Sequence, residues 1–296
     1  MAFILIPTAL SLLLPLLYAM MAISFGALIY RTVGPTATGV AVARASIKSD
    51  FKVPAEAREL IGVMVGIQIE QPNAGDSILA VWDIRGKDFR YQPCEGLAPV
   101  GNGKLGAIDE MSTTPMEIWK IHAPMNGNET LDIGIEPLSA MAVDGQAFMT
   151  LIFSTVRTGK PVIYGKASRE VATGTTADTI TAGDDIGIDD GSMMHELWGV
   201  ATIGTATVVV AEELLAEFIM RCTGWKGVQE QKFFAEPMHA LDGATGGNPV
   251  MAIMRLPVDS KLKTNAVTIT TEIVNKDALS AAGVYAHGVR WIGAPG

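Results

Sequence analysis

The sequence predicts an all-β protein, two tandem β-sandwiches preceded by one N-terminal membrane-spanning helix. Three observations predict it. Residues 1–30 carry no charged side chain. Several blocks of sequence recur in the same order at a nearly constant offset. The remaining chain alternates β-branched residues with clusters of Gly, Pro, Asn and Asp, the signature of short strands and turns.

The leading run, FILIPTALSLLLPLLYAMMAISFGALIY, is long enough to cross a bilayer, which takes about 20 helical residues. A helix is expected over 1–32, with Pro7 tolerated near its start and Pro15 kinking it. Phe3, Leu5, Leu12, Leu16, Tyr18, Phe25 and Tyr30 are its candidate anchor residues. Arg31 is the interfacial basic flank, and Tyr30 falls where an aromatic belt belongs. A secretory signal would need a basic leader and a shorter apolar core. No Lys or Arg precedes this run, so it is expected to be retained. Arg31, Arg44 and Lys48 all precede the first acid, Asp50. The positive-inside rule then keeps the C-terminal side cytoplasmic.

The repeat begins with Glu59-Leu60-Ile61-Gly62-Val63, which matches Glu196-Leu197-Trp198-Gly199-Val200 at an offset of 196 − 59 = 137. At that offset Ala74–Leu79 lies over Ala211–Ala216, and Val81-Trp82 over Phe218-Ile219. Ile118–Pro124 then lies over Met251–Pro257, Leu131–Glu136 over Val267–Glu272, and Gly145 and Phe148 over Gly283 and Tyr285. Small changes of offset are what loop insertions between matched strands produce. Order, not any single match, argues for a duplication.

The matched pieces read as strands. Val63–Glu70, Thr207–Val210 and Ala266–Val274 are β-branched, and the last alternates Val267, Ile269, Thr271 and Ile273. Residues 211–221 have a helical composition, but the partner Ser77–Arg85 looks extended, so a strand is expected in both. Turns are expected at 71–75, at Asn126-Gly127-Asn128 and at 242–249. Residues 166–191, rich in Thr, Ala, Gly and Asp, read as the junction. The first unit is then 33–165 and the second 192–296, each a β-sandwich or jelly roll.

Composition excludes some functions. The net charge of −9 and pI near 5.0 are not a nucleic-acid footprint. Cys94 and Cys222 read as buried thiols. His122, His195, His239 and His287 lack metal-ligand spacing and read as exposed or satisfied. Asp184–Gly191 does not fit an EF-hand and reads as a solvated acidic linker. No nucleophile elbow, P-loop or dinucleotide fingerprint is present. No catalytic, cofactor or metal residue is assigned, and the expectation is a structural protein, not an enzyme. The five Trp and 15 Met read as core or interface residues.

With two β-rich units carried by the 59–63/196–200 and 118–124/251–257 repeats and an apolar leading segment, the chain resembles the double-jelly-roll major capsid proteins of membrane-containing icosahedral viruses. The size resembles corticovirus members more than tectivirus ones. The resemblance implies two eight-stranded jelly rolls and a homotrimer with a pseudo-sixfold outline. It also implies a virion shell over an internal lipid membrane, assembled in the host cytoplasm, with a penton or other virion proteins as partners. A full anchor at the N-terminus departs from the commonest family pattern. Two alternatives remain open on residues alone: a membrane-tethered binding or adhesion module of a cell envelope, and a surface-filament subunit.

Overall fold

The computed structural model describes residues 26–39, 41–70, 79–92, 94–103, 118–137, 144–167, 179–187, 193–203, 216–222, 230–235, 238–239, 254–261, 266–275 and 283–292. Among these the regular elements are strands. The N-terminal half holds β1 (Leu28–Ala37), β2 (Ala45–Lys52), β3 (Glu59–Glu70), β4 (Leu79–Arg85), β5 (Glu95–Gly103), β6 (Trp119–Pro124), β7 (Thr130–Pro137) and β8 (Gly145–Ser154). Then come β9 (Ile163–Ala167), β10 (Thr179–Gly187), β11 (Met193–Ile203), β12 (Ala216–Cys222), β13 (Glu230–Ala235), β14 (Met238–His239), β15 (Met254–Lys261), β16 (Ala266–Asn275) and β17 (Gly283–Ile292).

In the N-terminal half the antiparallel pairings make two sets, β1-β8-β3-β6 and β2-β7-β4-β5. They join where the ends of β3 and β5 run parallel, Ile67 opposite Val100. Except at the β4–β5 hairpin, successive strands swap between sets, which is jelly-roll connectivity. The later strands pair as β9-β17-β11-β15 and β10-β16-β12-β13. A short parallel contact of β11 with β14 again follows, Thr202 opposite Met238. With β14 continuing β13, each pairing of the first half has a counterpart in the second. β4 and β12 are both seven residues long, and β8 and β17 both ten.

Period-two patterning puts the core between the two sets of the first half. In β8, Ala147, Met149, Leu151 and Phe153 are buried while Gln146 is exposed. In β7, Leu131, Ile133 and Ile135 are fully buried and Asp132 and Glu136 lie only partly covered. Trp82, Phe153, Leu60, Ile67, Ile84 and Leu97 are the largest fully buried side chains. Trp82 meets Trp119 edge-on with ring centroids 5.8 Å apart, and Phe51 stacks on Phe153. A Cβ on Gly96 would come within 2.7 Å of the Trp82 ring, so glycine there leaves room for the indole.

Several expectations shift. A helix cannot run to residue 32, because β1 starts at Leu28 and pairs with β8 from Leu28 opposite Ser154. An apolar run alone does not separate helix from strand; the open edge of β8 decides it. The stretch 166–191, read as junction, holds the end of β9 and all of β10, which pairs along its length with β16. Its Gly and Asp lower strand propensity, and tertiary pairing overrides that. The boundary at 165 likewise falls inside β9. The 211–221 segment is strand from Ala216, as the repeat required, and Gly127-Asn128 form the expected turn. Thr207–Val210 and the turns at 71–75 and 242–249 lie outside the described residues.

Candidate functional site

The candidate site is the end of the N-terminal sandwich at which β1 begins. The register sets it: Leu28 opposes Ser154, Ser154 opposes Glu59, and Glu59 opposes Pro124. In the other set Lys52 opposes Thr130 and Arg85 opposes Asp132. Backbone bonds knit the loops here. Thr155 N–H donates to Ala27 O, Arg58 N–H to Ser154 O, Met125 N–H to Arg58 O, and Asn128 N–H to Val53 O. A Cβ on Gly127 would strike Ala55 O at 2.2 Å, so the 53–58 and 125–129 loops touch through a bare glycine.

Inside this end lies a buried polar cluster. Glu59 is 2% exposed and His122 6%. His122 Nδ1 sits 2.9 Å from Glu59 Oε1. Thr158 donates its hydroxyl to Oε1 at 2.6 Å and its backbone N–H to Oε2. His122 holds φ at 56°, a left-handed conformation costly for a side chain. It arises from a bulge, since Ile121 and His122 together face the single Ile61 between Leu60/Ala123 and Gly62/Lys120. The bulge turns the imidazole toward Glu59. A carboxylate this deeply buried needs such partners, so the cluster ties β3 and β6 to the 155–161 loop.

A second cluster lies on β2, β4 and β7. Arg44 donates from Nε to both Asp83 oxygens (2.9 and 2.8 Å) and from Nη2 to Oδ1 at 2.6 Å. Its Nη1 reaches Asp132 at 2.9 Å, and Ser46 donates to Asp132 at 2.8 Å. Arg85 adds a contact to Asp83 at 3.1 Å. Hydrogen bonding to Asp83, against the opposing pull of burial, moves the Arg44 guanidinium further up. Burial works to raise Asp132, but bonds from Arg44 and Ser46 outweigh it and hold that carboxyl below its ordinary range. The guanidinium lies over Gly134, where a Cβ would meet its Cζ at 2.3 Å.

Of the expected anchor residues, Phe3, Leu5, Leu12, Leu16, Tyr18 and Phe25 lie outside the described residues. Tyr30 and Arg31 are strand residues of β1, both exposed, opposite Ile152 and Leu151. Among the described residues no helix is long and apolar enough to cross a membrane, and no group of acidic, His or Cys side chains could hold a metal ion. His122 is satisfied, as expected. Asp184 and Asp185 belong to β10, opposite Ile269 and Thr268, not to a linker. Cys94 is a buried thiol. Sequence reading missed both polar clusters, because Glu59, His122 and Thr158, or Arg44, Asp83 and Asp132, are brought together only by register.

No protein-family model and no curated protein matches the sequence. Solved structures similar to the chain include the STIV MCP, at 9% identity over 90% of this chain and 97% of that one, TM-score 0.42. N-glycanase F (PNGase F) is similar at 10% identity over 89% and 96%, TM-score 0.43. The major capsid protein P2 from bacteriophage PM2 is similar at 7% identity over 90% and 97%, TM-score 0.36. Likenesses this low in identity and TM-score do not establish a shared fold or a shared activity.

Proposed function

We propose that the chain is a shell-forming subunit, a major capsid protein whose two jelly rolls stand side by side and whose leading segment enters an internal membrane. The supporting observation is the strand pairing. β1-β8-β3-β6 with β2-β7-β4-β5 is answered by β9-β17-β11-β15 with β10-β16-β12-β13. A chain with two like units becomes a body with six like sectors when three copies close around a threefold axis. Such a body fills a hexagonal lattice position. The polar clusters fit this role, since they brace strands and loops.

The start of β1 at Leu28 leaves residues 1–27 for the bilayer, still enough for one crossing. Subunit contacts can then be individually weak, because tethering on a common surface raises effective concentration. The test is electron microscopy and light scattering on the purified chain. Closed shells or trimers are expected, with a chain starting at Gly26 remaining trimeric and losing vesicle binding. Monomers, or filaments with an open helical repeat, would overturn the proposal.

A further inference from the structure

The chain as a whole is acidic, at −9, yet its charge is not evenly spread. The end described above, where loops 53–58, 86–92, 125–129 and 155–161 meet the start of β1, exposes Lys52, Arg58, Lys87, Arg90, Arg157 and Lys160. Against these six stand exposed Glu56 and Asp88 and half-exposed Glu129 in the same loops, while nearby Asp50 is paired with Lys48 and Asp132 with Arg44. Glu59 does not count among them, being buried under Thr158 and His122. Three of the loops are tied by the backbone bonds between 27 and 155, 58 and 154, 125 and 58, and 128 and 53, and the 86–92 loop is closed on itself by Gln92 Nε2 donating to Gly86 O and Phe89 O. The basic side chains therefore project from a braced platform.

Two large apolar side chains flank that platform. Leu28 is 49% and Tyr30 56% exposed, and they lie where the uncharged leading segment runs into β1. An exposed tyrosine and leucine beside a basic rim is the composition found at a lipid headgroup layer. Charge sign, position and the leader's point of entry agree on one occupant.

We propose that this end of the N-terminal sandwich is a lipid-facing platform that seats on anionic headgroups, with Lys87, Arg90, Arg157 and Lys160 as its main contacts. The platform sets the tilt of the sandwich over the bilayer and makes docking dependent on lipid charge. This rests on the reading that the leading segment enters a bilayer, and adds which lipids the base selects.

The experiment uses the full chain, transferred from detergent to phosphatidylcholine vesicles with or without phosphatidylglycerol, with partitioning read by flotation at low and high salt. Each basic side chain near an anionic surface is worth about fivefold in partitioning. Wild type is expected to prefer the anionic vesicles by at least about tenfold at low salt, with the preference shrinking at high salt. The variant Lys87→Glu/Arg90→Glu/Arg157→Glu/Lys160→Glu should lose the preference and still bind phosphatidylcholine alone. The milder Gln versions should fall between, with unchanged circular dichroism. A wild type indifferent to lipid charge, or a charge-reversed variant that keeps the preference, overturns the proposal. So does charge-dependent capture of duplex DNA with no lipid preference. Salt-sensitive binding to anionic vesicles with none to phosphatidylcholine would sink the anchor reading and leave the platform standing.

Discussion

Replacing Asp83 by Asn removes the anion that holds Arg44 in place. Asp83 is 1% exposed, and its carboxylate accepts three bonds from the Arg44 side chain at 2.6–2.9 Å. Removing one partner of a buried ion pair costs about 3–5 kcal/mol. Here the cation is 18% exposed and keeps Asp132 at 2.9 Å, so water and the second carboxylate recover part of the loss. The expected cost is the lower end, about 3 kcal/mol. The control is Asp132→Asn, whose side chain is 35% exposed and which should cost at most about 1 kcal/mol. Urea unfolding followed by tryptophan fluorescence reads both, because Trp82 neighbours Asp83 in β4. Equal losses for the two variants, or a loss under about 1 kcal/mol for Asp83→Asn, would refute the view that Asp83 is the buried half of a partly wet ion pair.

Gly134→Ala puts a methyl into the Arg44 guanidinium and should cost about 1–3 kcal/mol. In a double-mutant cycle its effect should be strongly non-additive with Asp83→Asn, whereas simple additivity would mean the methyl is absorbed elsewhere. Asp132 is held below its ordinary range, so its contribution is full above the unfolded value of about 3.9 and is lost as pH falls through the lower folded value. Unfolding free energy against pH should therefore drop more steeply in acid for wild type than for Asp132→Asn; identical slopes would remove Asp132 from the account. Glu59→Ala frees Thr158 and should speed tryptic cleavage after Arg157 on the order of tenfold, the worth of one hydrogen bond to a charged group. Unchanged cleavage would show that the 155–161 loop is held by something else.

The sequence made much of this legible where local chemistry and tertiary pairing agree. Ala266–Val274 alternates and is β16; the 59/196 repeat marks β3 and β11; Asn126-Gly127-Asn128 turns, with Asn128 at φ 69°. Residues 211–221 had helical composition, and comparison with Ser77–Arg85 corrected it because both copies pair with equivalent neighbours, β7 and β16. What stayed hidden depends on distant partners. The start of β1 is decided by β8, with Leu28 opposite Ser154 at 154 − 28 = 126 residues later, and β10 is a strand because β16 offers an edge. The basic platform was invisible for the same reason. Lys52, Lys87 and Arg157 are scattered along the chain until the register shows that their loops share one end.

β9 has two allegiances. Its backbone pairs with β17, Ile163 opposite Ile292. Yet Tyr164 meets Tyr91 at 6.0 Å, Ala167 N–H donates to Glu95, and Val162 and Tyr164 are buried in the first half's core. During synthesis this strand emerges with its packing surface already made, while its sheet partner β17 is the last of the described strands. The finished first half thus offers the incoming chain a ready edge on which to lay down its final strand. Assembly is then vectorial, and damage to the early core should be inherited by the late sheet.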